Sequence, residues 1–403
     1  MELTMNDRER DRLEVMRRLD RGETRQIDAA RALGLSTRQV RRIQHRIDRE
    51  GDRGLIHRAR GRPSNRRISS EIERRAKALL REKYHDFGAT LATEHLAEDD
   101  GIDLGRETVR RFMHEEHLWA RQRKPRPHRR RRERRAAFGE LLQIDTSEHD
   151  WFEGRAPKAC LITVIDDATG RRISRLFEAD TAVANLEMIR RWLVCHGRPR
   201  ALYADAASHF RPPQQRGKRR AKTQIKRALE TLDIGLIIAR SPQAKGRVER
   251  AHGVDQDRLI REMRLRSISD IAGANRFLDE TYLPRMNGRF AVEPRHRRDD
   301  HRSVRRFDLD AIVCPHQTRR VANDHTVSID SVLWQISPDG RGLAGERITV
   351  EQRLDGTMRL RHGKRYLTFR RAWLHSRRTS VGSHSGPGPS LAPTARGPAP
   401  QRR

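Results

Sequence analysis

The chain has 403 residues and sets 87 Lys and Arg against 55 Asp and Glu, a formal charge of +32. At 35% hydrophobic and 5% aromatic residues, about two to four small modules with exposed linkers fit better than one large core. No apolar run of about 18 residues marks a membrane span, the N-terminal MELTMNDRERDRLEV lacks a signal core, and Cys160, Cys195 and Cys314 lie too far apart for a disulfide framework or a thiolate zinc site, so a cytoplasmic protein with reduced thiols is the expectation.

The excess of positive charge points to a polyanion, most simply nucleic acid. Only nine of the basic residues are Lys; a GC-rich genome explains Arg in place of Lys but not the excess itself.

Residues 1–57 read as a helix–turn–helix domain. Leu13, Met16 and Leu19 share a helical face, Gln26–Leu33 forms a second helix, Gly34-Leu35-Ser36 turns, and a third helix starts at Thr37. Ser36 with Gln39 has the capping-box pattern. Val40, Ile43 and Ile47 face inward, which leaves Thr37, Arg38, Arg41, Arg42 and His45 on the side of a recognition helix that can enter a major groove. An ordinary helical hairpin with a solvated basic face is the plainer reading; turn, cap and basic face together favour DNA. The linker 58–67 holds Gly61-Arg62-Pro63, and Arg62 in an extended GRP segment suits a narrow minor groove or simply solvent. Residues 68–120 read as a second helix–turn–helix-like module, with Val109, Phe112 and Met113 inward and Arg106, Arg110 and Arg111 outward. The linker 121–137 opens on a stretch with nine Arg and one Lys, unable to form a core and suited to phosphate.

The texture changes near residue 138. LLQIDTSEHDWF, ACLITVIDDATG, RRISRLFEA, ALYAD and GLIIA read as strands; 184–195, 225–232 and 244–266 read as helices. One mixed sheet covered by helices is expected over 138–300. Short β-like runs with Gly and Asp turns over 301–375 predict a small β-barrel or meander, and the Ser, Gly, Pro, Ala and Arg of 376–403 predict a disordered tail.

Three acids fit one geometry: Asp145 in the first strand, Asp205 at the end of a strand able to neighbour it, and Glu249 on the long helix. Clustered carboxylates repel, and two Mg²⁺ ions would relieve that repulsion. Hard cations prefer oxygen ligands, and a metal pair supports in-line phosphoryl displacement. Asp166 and Asp167 precede Ala-Thr-Gly and fit a hairpin turn better; Asp150 is a candidate for a supporting role. His114 and His117 have no Cys pair to complete a zinc site. His252, one turn after Glu249, reads as a half-exposed helix residue. Trp151, Phe152, Trp192 and Trp334 read as core.

QID at 143–145, YADAASHF at 203–210 and SPQAKGRVER at 241–250 together resemble the catalytic core of DDE transposases of bacterial insertion sequences, the ISNCY type in wording, with a retroviral-integrase-like centre. The resemblance covers about residues 10–375. It implies an RNase H-like fold, Mg²⁺-dependent cleavage and joining of double-stranded DNA with Mn²⁺ as substitute, and a homo-multimer assembled on the element's terminal repeats and target. In a bacterial cell such a protein is cytoplasmic and sits on the nucleoid when DNA-bound. It places the acids and metal ligands on Asp145, Asp205 and Glu249, with Lys245 and Arg250 as DNA contacts. Two departures stand out. Ala206-Ala207 replaces a segment often polar or Gly-containing, and Glu249 lies 44 positions after Asp205, a long interval that holds the basic loop 211–222. A transposase that has lost catalysis and acts as a sequence-specific repressor is the competing reading, and a structure-selective nuclease on the same fold is a third.

Overall fold

The computed structural model describes residues 5–56, 60, 67–118, 133–211, 222–239, 246–337 and 342–372, divided between two compact units, 1–123 and 124–403. Arg62, the linker 119–132, most of the loop 211–222, Lys245 and the tail lie outside the described residues.

The first unit is helical. Helix α1 (Asp7–Asp20) starts on a capping box between Asn6 and Glu9. Helix α2 (Gln26–Leu33) stops where Gly34 takes φ 60°, a conformation that glycine adopts without strain. Helix α3 (Thr37–Glu50) starts on the expected box, Ser36 with Gln39. Met16, Ala29, Ala30, Val40, Ile43 and Leu55 make the shared core. Gly54, in the turn after α3, lies where a Cβ would stand 2.5 Å from the Arg46 carbonyl oxygen, so the turn closes only on glycine. Helices α4 (Ser70–Glu82), α5 (Ala89–Glu98) and α6 (Arg106–Glu115) form a second group. Val109, Phe112 and Met113 are fully buried in it, as their spacing predicts.

The second unit is built on a five-stranded sheet. Its strands are β2 (Leu141–His149), β3 (Ala159–Asp166), β4 (Arg172–Phe177), β5 (Ala201–Ala204) and β6 (Gly235–Ile238), in the order β4-β3-β2-β5-β6. Only β3 runs against the others. This is the mixed sheet expected of an integrase-like core. A two-residue strand β1 (Ala137–Phe138) pairs outside it with β7 (His296–Asp299). Because side chains alternate along a strand, Leu142, Ile144, Ile162, Val164, Leu202 and Ala204 share one face. Helices α7 (Ala182–His196) and α8 (Gln224–Thr231) cover it with Leu186, Ile189, Trp192 and Leu229.

The other face takes α9 (Gly246–Leu265), α10 (Ile271–Phe277) and α11 (Leu283–Phe290). Trp151, Phe152, Leu161, Leu176, Leu259 and Met263 form its apolar part. The edge strand β4 is occupied by two amide side chains. Asn275 accepts from Leu176 N at 2.8 Å and donates to Leu176 O at 2.9 Å. Asn287 does the same for Arg172, at 3.0 and 2.9 Å. An exposed strand edge invites foreign pairing, and these two residues close it.

After the short helix α12 (Leu309–Ile312), the C-terminal module has strands β8 (His316–Arg320), β9 (Thr326–Ile329), β10 (Val332–Ile336), β11 (Arg347–Gln352), β12 (Met358–His362), β13 (Arg365–Leu367) and β14 (Phe369–Arg371). The expected barrel is replaced by two separate sheets among the described residues, β14-β10-β9 and β13-β12-β11-β8. Val321, Ile336, Ile348, Val350 and Leu360 join them in one core. Strands of three to six residues suffice to cover that core without closing a cylinder. The module is fastened to α8: Gln224 exchanges hydrogen bonds with His316 N and O, and Arg227 donates to the carbonyls of Ile312 and Cys314.

Candidate active site

Strand β2 alternates apolar residues on the α7 side with Gln143, Asp145 and Ser147 on the α9 side. Strand β3 beside it and β4 beyond continue the polar set with Thr163 and Ser174, whose hydroxyls lie 2.9 Å apart. Asp145 sits in the middle of β2 with its side chain 17% exposed. Strands β2 and β5 are parallel neighbours, with Leu142 level with Leu202 and Gln143 level with Tyr203. The pairing ends there, two residues short of Asp145 on one strand and of Asp205 on the other. Asp205 follows the last residue of β5 and is half-buried; its Oδ1 accepts from Ala207 N at 2.9 Å. Ala206-Ala207 therefore forms the tight turn after the acid. Phe210 anchors the segment in the core, and His209 lies 3.6 Å from Asp180.

Helix α9 lies over this polar stripe. His252 reaches within 3.8 Å of Asp145, ion-pair distance for a protonated imidazole and too long for a hydrogen bond. One turn on, Gln256 donates to Ser147 Oγ at 3.0 Å. Glu249, one turn before His252, is exposed on the same helix. Asp145 and the helix that carries Glu249 thus lie on one face of the sheet, and Asp205 follows the end of the neighbouring strand. Among the described residues no three acidic, His or Cys side chains stand close enough together to hold a metal ion. Arg250 is exposed and turns its Nε back to the Gly246 carbonyl at 2.8 Å.

The competing acids have other duties. Asp166 and Asp167 form the β3–β4 hairpin, as their context predicts, but both are fully buried. Asp166 accepts from Gly139 N, Thr169 N and Thr169 Oγ1. Burial pushes its carboxyl above the ordinary range, and these donors pull against that rise. Asp167 accepts from Gln143 Nε2 at 2.7 Å, Arg247 Nε at 2.8 Å and Arg135 N at 2.8 Å. Asp150 accepts from Gly154 N and closes the turn after β2. Further along α9, Asp255 meets Arg172 through two hydrogen bonds of 2.6 and 2.8 Å and accepts a third from Tyr282.

His252, expected to be half-exposed, is buried, because it continues the inward stripe of Val248, Asp255 and Leu259. Gln143, Asp167 and Arg247 form a set that no motif marks. The available signal was their spacing: Gln143 precedes Asp145 by two residues, as Arg247 precedes Glu249. Trp151, Phe152 and Trp192 are core, as expected.

In the first unit Arg38, Arg41, Arg42 and His45 are exposed on α3, and Thr37 is half-buried. Arg38, Arg41 and Arg42 make no ion pair with any described residue. On α6, Arg106 and Arg110 both meet Glu107, at 3.0 and 2.8 Å, so part of that helix's charge is already neutralised.

Residues 12–74 match the family described as winged helix-turn helix. Over 374 residues the chain is 38% identical to "Putative transposase y4bF" of Sinorhizobium fredii, covering 91% of this chain and 82% of that protein. The chain belongs to the insertion-sequence transposases. This transposase is also 28% identical to the transposase for insertion sequence IS1202 of Streptococcus pneumoniae, over 68% of this chain and 67% of that one. Among solved structures it is similar to the catalytic core of HTLV-2 integrase in complex with magnesium (14% identity, TM-score 0.28, 35% of this chain and 82% of that one). It is also similar to a chain of the simian T-cell lymphotropic virus intasome (13%, TM-score 0.34, 74% and 99%). As a transposase it is an enzyme of the polynucleotidyl-transferase type, with a helix–turn–helix region ahead of its core. No described helix is long and apolar enough to cross a membrane.

Proposed function

We propose that this transposase grips the terminal repeats of its own element with the N-terminal helices, and cuts and joins DNA strands at Asp145, Asp205 and Glu249. What supports the reading is that Asp145 and Asp205 each lie two residues beyond the last pair of the adjacent parallel strands β2 and β5, with the Glu249 helix laid over the face that carries Asp145. The donor set is entirely carboxylate oxygen, which fits Mg²⁺ or Mn²⁺ and not a soft metal. A pair of such ions would supply charge neutralisation at the attacking and leaving oxygens of the scissile phosphate. The protein's own part is to carry the three carboxylates on a strand pair and on the helix that lies across it, and to bring the DNA to them. Thr37, Arg38, Arg41, Arg42 and His45 read the major groove; Arg62, Arg106 and Arg110 contact flanking DNA; Lys245 and Arg250 hold phosphate beside the site. Two ends must be cut, so a homo-multimer assembled on double-stranded DNA is the working form.

The test is nicking of duplexes that carry the element's ends. Asp145→Asn, Asp205→Asn and Glu249→Gln abolish Mg²⁺-dependent nicking and leave binding to those duplexes intact; full cleavage by any one of them overturns the assignment. Arg38→Ala or Arg41→Ala weakens specific binding by about 1–3 kcal/mol where the side chain holds a base; an equal loss on all sequences identifies a phosphate contact. A wild-type protein that binds the ends and cuts in neither Mg²⁺ nor Mn²⁺ is a repressor.

A further inference from the structure

We infer that Asp167 is a positioning residue that sets the distance between Asp145 and Glu249; the inference rests on the functional reading above. Its carboxylate is fully buried and holds both elements that carry these acids. Oδ1 accepts from Gln143 Nε2 at 2.7 Å, on β2 two residues before Asp145. The same oxygen accepts from Arg247 Nε at 2.8 Å, on the first turn of α9 two residues before Glu249. Oδ2 accepts from Arg135 N at 2.8 Å, and the Asp167 main chain donates to Leu141 O at 2.9 Å, at the start of β2. One rigid hairpin thus fixes a strand and a helix that touch it from different parts of the chain.

The chemistry makes this more than packing. A buried carboxylate without its partners costs several kcal/mol, so the charge of Asp167 demands a guanidinium at one place, and Arg247 can meet that demand only with α9 seated at one height over β2. Glu249 is itself exposed. Helix α9 touches β2 further along through His252 and Gln256, but those contacts lie beyond Glu249 in the chain. The contact at Asp167 lies before it. Glu249 is therefore flanked by two directional contacts, and loss of the first leaves the turn that carries it held by the buried Val248 alone, which does not fix its height. Partners one shell removed from metal-binding carboxylates typically change ion affinity or activity by about 10–100-fold.

Three variants test this in the full-length chain: Asp167→Asn, Arg247→Gln and Arg247→Lys, with Asp166→Asn as the control for burial alone. Mn²⁺ binding is titrated by electron paramagnetic resonance, and nicking and DNA binding are measured on duplexes carrying the element's ends. Asp167→Asn and Arg247→Gln each raise the half-saturating Mn²⁺ concentration by about 10–100-fold, slow nicking by the same order, and leave the Kd for DNA within about twofold. Together they lose no more than the worse of the two, because they break one interaction. Arg247→Lys recovers most of the loss. Asp166→Asn lowers the melting temperature without moving the Mn²⁺ midpoint, since its bonds go to Gly139 and Thr169. Should Asp167→Asn fail to fold, Arg247→Gln against Arg247→Lys carries the test. Unchanged Mn²⁺ affinity and nicking in Arg247→Gln, beside an inactive Asp145→Asn, overturns the inference alone; an active Asp145→Asn overturns the functional reading. Additive losses in the double variant also overturn the inference.

Discussion

The two faces of the central sheet are made by the same strands and do opposite work. On the α7–α8 side, Ile144, Ile162, Val164 and Leu202 meet Leu186, Trp192 and Leu229, and any apolar side chain of the right volume would serve. On the α9 side, Gln143 and Arg247 both donate to Asp167, Gln256 donates to Ser147, Arg172 pairs with Asp255, and His252 lies 3.8 Å from Asp145. The first face is non-directional and holds the sheet together. The second is directional and fixes where the helix sits. A fold that must carry charge at its centre therefore spends one face on stability and the other on position.

The largest expected effect sharpens that division. Asp255→Ala leaves Arg172, itself buried, without its carboxylate and removes an acceptor from Tyr282. Breaking such a pair costs about 3–5 kcal/mol, measured by urea unfolding of the second unit's transition. Replacing both partners, Arg172→Met with Asp255→Leu, is near neutral or stabilising by about 1–4 kcal/mol. If the double variant is as unstable as the single, the ion pair holds the fold rather than the position, and the contrast between the faces fails. On the apolar side, Leu186→Ala costs about 2–5 kcal/mol, while Leu186→Met costs under about 1.5 kcal/mol. A large loss with Met would show that this face is as exacting as the other.

The contrast also explains what was legible in the sequence. The apolar face announces itself in the runs around Ile144 and Ile162, and the helical spacing of Leu186, Ile189, Trp192 and Leu193 locates α7. Asp145, Asp205 and Glu249 stand in motifs, and the capping box at Ser36 marks the start of α3. Helices α10 and α11 went unread. Gly273, Pro284 and Gly288 punctuate that stretch, and its helices are held by distant partners: Asn275 and Asn287 bond the main chain of β4, about a hundred residues earlier. The C-terminal strands were legible but closure of a barrel was not, for a related reason. Strand positions are local, and closure depends on which edges meet. His252 was misjudged because burial of a polar residue depends on what lies across from it, here Asp145.

A smaller effect separates the DNA-reading helix from both faces. Ser36→Ala removes the acceptor for Gln39 N and half of the capping box of α3. It costs about 0.5–2 kcal/mol, seen in the melting of the isolated transition of the first unit and not in the second. A change in both transitions would mean that the two units unfold together.

The smallest effect is a pH dependence that belongs to the apolar side. His196, at the end of α7, packs against Phe138 and Trp192. Burial lowers its pKa, and the neighbouring His301 and Arg171 lower it further, against an opposing pull from Asp299. The unfolded chain keeps an ordinary imidazole value near 6.5. Below that pH the unfolded chain takes up a proton that the folded chain resists. The stability from His196 is thus complete above about pH 6.5 and is lost as pH falls from there toward the lower folded value. His316, lowered mainly by burial beneath the C-terminal module, adds a loss of the same sign. His196→Asn removes one of the two contributions, so its unfolding midpoint falls less than that of wild type between pH 7.5 and 5.5. Equal falls would place the pH sensitivity elsewhere, with the ion pairs of the α9 face as the first candidates, and that face would then contribute to stability as well as to position.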